Sequence, residues 1–460
     1  MSKERQYLFD STPVLSAIIR LAIPTMLGQI ILVLYNMADT FYIGLTGSDA
    51  MLAAVTICTP AFMFLSAISN LFGVGGASCI ARALGRKDNS TARSASVFSF
   101  YGCILLTLAY SLLVFCNLDH MVNLLGGINS TVHQYSKTYM LITVCIGGLG
   151  TSMNALLAHL VRSEGRSFHA SAGIALGGIL NIILDPIFMF AVLPSGYEYI
   201  GAAIATALSN LIAVFYFVVV LIFLRRQTIL DFRLSHAPID LTIPHEILLI
   251  GLPACIMTLF ENISFSVMDA LTAGHGLAYQ AGLGVAKKVN MLAHCIVRGI
   301  SQGVLPLIAY NYAAENTNRM HKIIRTSAVI AVSMASLCTL CSLFFSQQFI
   351  GIFIHNDSPS LLHGIHYLKI LCIGCPFSAL AYVLISVFQA TNHSAYSLVL
   401  ALLRKGILDI PMLFVLNSLC SPYGLAWATP LADFVCAVAS LFLYCSFSKH
   451  AAQSFIFAID

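Results

Sequence analysis

The stretch Arg20–Gly44, RLAIPTMLGQIILVLYNMADTFYIG, decides the fold class. It is apolar over a length that crosses a bilayer as a helix. It holds Pro24 inside it and a carboxyl, Asp39, near its far end. A carboxyl left in or near hydrocarbon costs roughly 2.5–3.5 kcal/mol on insertion scales. An acid retained there is a functional-site candidate, and Asp39 is read as part of an ion site.

The rest of the chain has the same character. Of 460 residues, 58% are hydrophobic and 9% are charged, against about 25% charged in soluble domains. Hydrophobic runs of helix-spanning length recur throughout, whereas an outer-membrane barrel would show short alternating strands. The fold class is therefore an all-α polytopic membrane protein, with the lipid bilayer as its surroundings. Residues 1–12 are polar and lack a small-residue cleavage site, so no signal peptide is expected. The fourteen cysteines lie mostly inside apolar runs, as at Cys145, Cys338, Cys341 and Cys436, and read as small buried hydrophobes. The formal charge of +4 is carried by loops and does not suggest a nucleic-acid partner.

About twelve spans are predicted, near 14–43, 50–80, 94–117, 135–160, 168–193, 200–224, 246–272, 279–311, 323–346, 362–389, 396–416 and 424–447. A polar link, Arg225–Ile243, divides them six and six, into lobes 1–226 and 227–460. One set of loops carries Arg82, Arg86, Lys87 and Arg93, then Arg162 and Arg166, then Arg225, Arg226 and Arg233, then Arg319, Lys322 and Arg325. The alternate loops, near Gly47, Gly126, Gly196, Gly274, Asp357 and Pro422, carry no Lys or Arg. With Lys3, Arg5 and Lys449 at the ends, this bias places both termini on the cytoplasmic side.

The two lobes repeat each other. Pro24 matches Pro253, Ile80-Ala81 matches Ile308-Ala309, and Thr206 in IGAAIATALSN matches Thr429 in YGLAWATPLAD. Each lobe has an even number of spans, so both have the same orientation. They are related by an axis along the membrane normal, with a central cavity between them, as in transporters built from repeats.

The pattern from Pro24 to Asp39 and Gly44, the run Gly73–Gly85, Asn181–Pro186 (NIILDP), GISQGVLPLIAYNYAA from Gly299 and RKGILDIP from Arg404 occur in order over essentially the whole chain. In this the chain resembles the multidrug and toxic compound extrusion (MATE) family, in particular its bacterial staphylococcal-type exporters. The resemblance implies export of amphipathic, often cationic, small molecules in exchange for H+ or Na+, with no other cofactor. It also implies a bacterial cytoplasmic membrane, and a monomer is expected.

Asn181 and Asp185 stand at i and i+4 and share a helix face. With Asp39 and the Thr206 hydroxyl they offer up to four side-chain oxygens, the donors a hard cation needs. In the MATE family, residues matching Asp39, Asn181, Asp185 and Thr206 form the cation site of the amino-terminal lobe. The bland alternative is a pair of solvated acids at helix ends. A shift of 224 takes Asn181 to Lys405 and Asp185 to Asp409, and a shift of 230 takes Asp39 to Asp269. The second lobe therefore holds an ammonium where the first holds an amide.

Glu261, eight residues after Pro253, is read as a substrate or coupling acid, or else as a structural partner of Arg298. Tyr35, Met37, Phe64, Met153, Phe260, Met268 and Met291 are candidates for a soft cavity lining, against ordinary packing. His159, His169, His275 and His294 show no metal spacing. A flippase of lipid-linked cargo is the nearest rival and would need Arg298, Arg404 and Lys405 free to hold phosphates. An enzyme would need a metal cluster or an activated nucleophile, and neither is read here.

Overall fold

The computed structural model describes residues 3–127, 129–236, 241–354 and 358–456, with side chains from Arg5 to Ser448. Asp357, the side chains of Lys3 and Lys449, and 237–240 of the polar link lie outside them. Among the described residues there is no strand. Long apolar runs without interior water favour helices, which satisfy their own backbone polar groups.

The helices of the first half are α1 Val14–Leu45, α2 Asp49–Gly85, α3 Asn89–Cys116, α4 (Ser130–Ile146 continued by Gly148–Ser163, bent by 46°), α5 Ser167–Val192 and α6 Glu198–Phe223. Those of the second half are α7 Thr242–Ala273, α8 Leu277–Ala313, α9 Thr317–Phe344, α10 Pro359–Ala390, α11 (394–419) and α12 Gly424–Ile456. Ten of these are long and apolar enough to cross a membrane, and the bent α4 makes eleven. The remaining one, α11, carries Arg404, Lys405 and Asp409 in a π-helical stretch, Leu402–Asp409, between two α-helical pieces.

The backbone repeats along with the sequence. Lys87 and Glu315, 228 residues apart, both have positive φ (62° and 58°), as do Gly165 (79°) and Asn392 (63°), 227 apart. Asp88 caps α3 through the Thr91 N–H at 3.1 Å, and Asn316 caps α9 through the Arg319 N–H at 3.3 Å. The bonds from Thr91 hold the Asp88 carboxyl below the usual carboxylate range. The irregular turns Leu141–Ile146 of α4 and Cys372–Gly374 of α10 fall on matching segments, Cys145-Ile-Gly and Cys372-Ile-Gly, again 227 apart.

The two sets of six helices meet at the ends that bear the basic loops. Backbones touch there: a Cβ on Gly75 of α2 would lie 2.1 Å from the Ile247 carbonyl oxygen. One on Gly251 of α7 would lie 1.7 Å from that of Leu71. Arg82 of α2, 2% exposed, donates to Glu246 of α7 at 2.5 Å and to the Ala390 carbonyl of α10 at 3.2 Å. Ser78 donates to the Gln389 carbonyl at 2.6 Å. Arg319 of α9 donates to the Thr12 and Phe9 carbonyls, at 2.7 and 2.8 Å, just before α1. Along α2 every residue from Gly73 to Gly85 is buried, whereas 49–64 alternates between buried and open. Along α8, burial likewise rises toward Ala309 from an open start near Leu277. The halves thus converge at the basic end and leave a cleft toward the other.

This packing predicts a position-specific effect of one methyl group. Gly251→Ala pushes Leu71 away at the closed end and should cost about 1–3 kcal/mol as overpacking. Gly284→Ala on α8, where nothing lies within 4 Å of the new Cβ, should be neutral or mildly stabilising. Thermal unfolding of the two variants in detergent checks this, and equal melting temperatures would contradict the close approach.

Candidate functional site

In the first half, α5 and α6 bring three of the four predicted oxygen-bearing residues into contact. Asn181 Nδ2 donates to Asp185 Oδ1 and to Thr206 Oγ1, both at 3.2 Å. All three are buried, at 1%, 0% and 5% exposure. The i,i+4 spacing sets the first contact, and Pro186, entering the π-helical turn Ile187–Val192, ends the regular helix just after Asp185. Asp39 of α1 lies close enough for its charge to act on Asp185. Tyr35 and the buried Tyr139 of α4 share this surrounding.

Three oxygens here are buried and accept no hydrogen bond from any described residue: Asp39 Oδ1, Asn181 Oδ1 and Asp185 Oδ2. Each is an acceptor. Buried acceptors without donors are costly, by about 1–3 kcal/mol or more each for charged groups. A hard cation or a proton satisfies such a set, so the residues fit the H+ or Na+ expected from the sequence. Lys288 of α8 is the cation whose charge reaches Asp39.

The second half is charged and paired. Lys405 Nζ donates to Asp409 Oδ2 at 2.8 Å, and the same carboxylate accepts from Ser264 at 2.6 Å and Thr429 at 3.0 Å. Arg404 Nε donates to Asp433 Oδ1 at 2.6 Å, and its guanidinium lies 4.2 Å from the Tyr382 ring centroid. Arg298 donates to both oxygens of Glu261 at 2.8 and 2.9 Å and to the Tyr382 hydroxyl at 3.0 Å. Glu261 is therefore engaged as the structural partner of Arg298. Asp269 does not join Asp409; its side chain is 48% exposed and pairs with Lys287. The physical reason is helix register: with Pro24 on Pro253, Asp39 falls on Met268. One residue on is about 100° around the helix.

A cavity of about 690 Å³, including its open mouth, lies between α1, α7 and α8 and reaches Arg404 and Lys405. Met268 and Met291 line it, with Phe265, His294 and Asn36. Tyr35, Met37, Phe64, Met153 and Phe260 are not among its lining residues. Phe64 packs on Tyr110 at 4.6 Å between centroids. The other histidines have partners: His159 near Arg162, His169 with Tyr216 and His275 with Asn417.

Sequence reasoning missed Tyr139, Ser264, Tyr382, Lys288 and Asp433. Only Asp433 had a usable signal, one turn after Thr429 and 223 residues after Asn210. It also passed over two C-x-x-C pairs, Cys338/Cys341 and Cys372/Cys375. Among the described residues no group of three His, Cys, Asp or Glu is arranged to hold a metal.

A family model described as MatE matches residues 24–187 and again 253–415, together more than two thirds of the chain. The multidrug export protein MepA of Staphylococcus saprophyticus is 29% identical over 96% of both chains. Among solved structures, a crystal structure of MATE in complex with MaL6 superposes with a TM-score of 0.90 at 24% identity, over 99% of this chain and 100% of that one. The outward-facing conformation of a multidrug resistance MATE family transporter of the MOP superfamily gives 0.89 at 23% identity, over 99% of both. These likenesses establish the twelve-helix fold.

The Arg404–Asp433 pair yields a stability prediction. Both side chains are buried, at 1% and 0% exposure. Asp433→Asn strands the guanidinium and should cost about 3–5 kcal/mol, while Arg404→Met/Asp433→Leu should be close to neutral. Melting temperatures in detergent compare the two, and a double variant as unstable as the single one would refute a simple charge balance.

Proposed function

The chain belongs to the MatE family, and on that premise we propose that it is a secondary active multidrug exporter of a bacterial cytoplasmic membrane. It exchanges amphipathic, cationic small molecules for H+ or Na+ by alternating access, with no chemical step. The carrying observation is the set of buried, donor-free oxygens on Asp39, Asn181 and Asp185. The working units are a lobe of residues 1–226 and a lobe of 227–460, acting within a monomer. In this proposal the closed, basic end and both termini lie at the cytoplasmic face, a reading the Lys and Arg loop bias supports.

In this reading the cleft faces outward. A proton or Na+ enters between Asp39 and Asp185 and offsets one of their two charges. Ionised, those acids repel one another and attract a cationic drug, so the bound cation relieves repulsion, weakens drug binding and lets α1 bend near Pro24. The drug leaves outward. The lobes then separate at the Arg82–Glu246 contact and close at the other end, and the ion exits inward. One cation entering for one monovalent cationic drug leaving moves no net charge, so the drive is the ion's own concentration gradient; tenfold in that gradient is worth about 1.4 kcal/mol and supports a tenfold drug gradient.

The flippase reading gains no support from the cavity. Arg298, Arg404 and Lys405 are each engaged by a carboxylate of their own, on Glu261, Asp433 and Asp409. A phosphate would have to displace those partners.

Efflux of a fluorescent cationic dye from proteoliposomes, under a pH gradient alone and a Na+ gradient alone, tests the proposal. One gradient should accelerate efflux in the wild type, and Asp39→Asn and Asp185→Asn should each reduce the rate to its no-gradient level. Gradient-driven efflux that persists in both variants would remove these residues from coupling.

A further inference from the structure

The duplicated chain places two versions of one pocket in the same molecule, and they differ in charge. In the first half the matched positions are Leu180, Asn181, Asp185, Thr206 and Asn210. In the second they are Arg404, Lys405, Asp409, Thr429 and Asp433, offset by 224 on the fifth helix of each half and by 223 on the sixth. Leaving aside Asp39, whose matched position is the uncharged Met268, the first set has one negative charge and no positive one. The second has two of each.

The hydrogen bonding of the two paired acids follows the charge, although Asp433 Oδ2 in the second set also accepts no bond from a described residue. Asp185 receives one bond, from Asn181, and its Oδ2 accepts none from a described residue. Asp409 is fully satisfied: Lys405 and Ser264 donate to Oδ2 and Thr429 to Oδ1. The Lys405 ammonium is 3% exposed on its side chain and sits one helical turn from the carboxylate, as Asn181 does from Asp185. The Thr429 hydroxyl points to Asp409, as Thr206 belongs to the Asn181–Asp185 cluster.

We infer that the second-half pocket is a copy of the cation site in which the cation is built into the chain, as the ammonium of Lys405. This rests on the reading of Asp39, Asn181 and Asp185 as the exchangeable site. The tethered ammonium cannot leave, so the second half takes part in no ion exchange, and each chain carries one exchangeable cation site rather than two. The residue at this position, amide or ammonium, sets which half is ion-coupled. The Phe265 ring, its centroid 5.7 Å from Lys405 Nζ, adds a cation–π contact to the buried ammonium.

The test counts bound cations on purified full-length protein. Equilibrium 22Na+ binding and proton uptake after a jump from pH 8.5 to 6.5 are measured on wild type, Lys405→Asn, Asn181→Lys and Asp185→Asn. Lys405→Asn leaves the second set with a net charge of −1, that of the matched positions of the first, so it should bind one more cation per chain, of the same kind as the wild type. Its melting temperature should rise with that cation more steeply than the wild type's. Asn181→Lys makes the first pocket resemble the second and should lose the exchangeable cation. Even if Lys405→Asn does not fold, Asn181→Lys still decides. Wild-type binding that disappears in Asp185→Asn, together with no gain in Lys405→Asn or no loss in Asn181→Lys, overturns the inference and leaves the first-half site standing. No cation on the wild type, with Asp185→Asn unchanged, overturns the first-half site itself.

Discussion

A carboxylate buried among helices needs a positive partner or a proton, because nothing in the surroundings replaces the water it gave up. This chain meets that demand in two ways. In the second half the buried Asp409 and Asp433 are held by Lys405 and Arg404, and the half-buried Glu261 by Arg298. In the first half Asp185 and its neighbour Asn181 keep oxygens that no described side chain satisfies. A structure that leaves those acceptors to a mobile ion ties its stability to the ion, and so can be driven by it.

The cleft gives that local demand a global readout. The halves are locked at one end by backbone contact at Gly75 and Gly251 and by Arg82, which bonds to α7 and α10 at once. Asp39 stands on α1, which packs on α5 of its own half and against α8 of the other. A change of charge at Asp39 is therefore felt on both sides of the cleft. Packed interfaces of this kind switch between arrangements instead of deforming gradually.

Much of this was legible in the sequence. Apolar runs of spanning length and the 223–230 residue repeat are written in the chain itself, and the structure repeats even the positive φ angles of Lys87 and Glu315. The pairing of Asn181 with Asp185, and of Lys405 with Asp409, followed from i,i+4 spacing alone. What failed was register between distant helices. Asp269 matched Asp39 in type but sits about 100° from the position that the proline alignment requires, and it turns to Lys287 instead. Ser264, which does reach Asp409, carries no signal that separates it from the other serines. Tyr139 and Tyr382 come from α4 and α10, helices with irregular turns at Leu141–Ile146 and Cys372–Gly374, and no residue pattern announced which face would turn inward. The twelfth apolar span escapes a simple length-and-charge test because α11 holds the very charges that make its pocket.

The central claim is that cation and drug bind exclusively of each other, through the acids of the first half. The most direct measurement is the equilibrium affinity of a fluorescent cationic dye for the solubilised protein, titrated with Na+ at fixed pH and with H+ at fixed Na+. The affinity should fall as the coupling ion rises, and by linkage the dye should weaken that ion's binding by the same factor. A dye affinity that stays constant through both titrations would contradict the account.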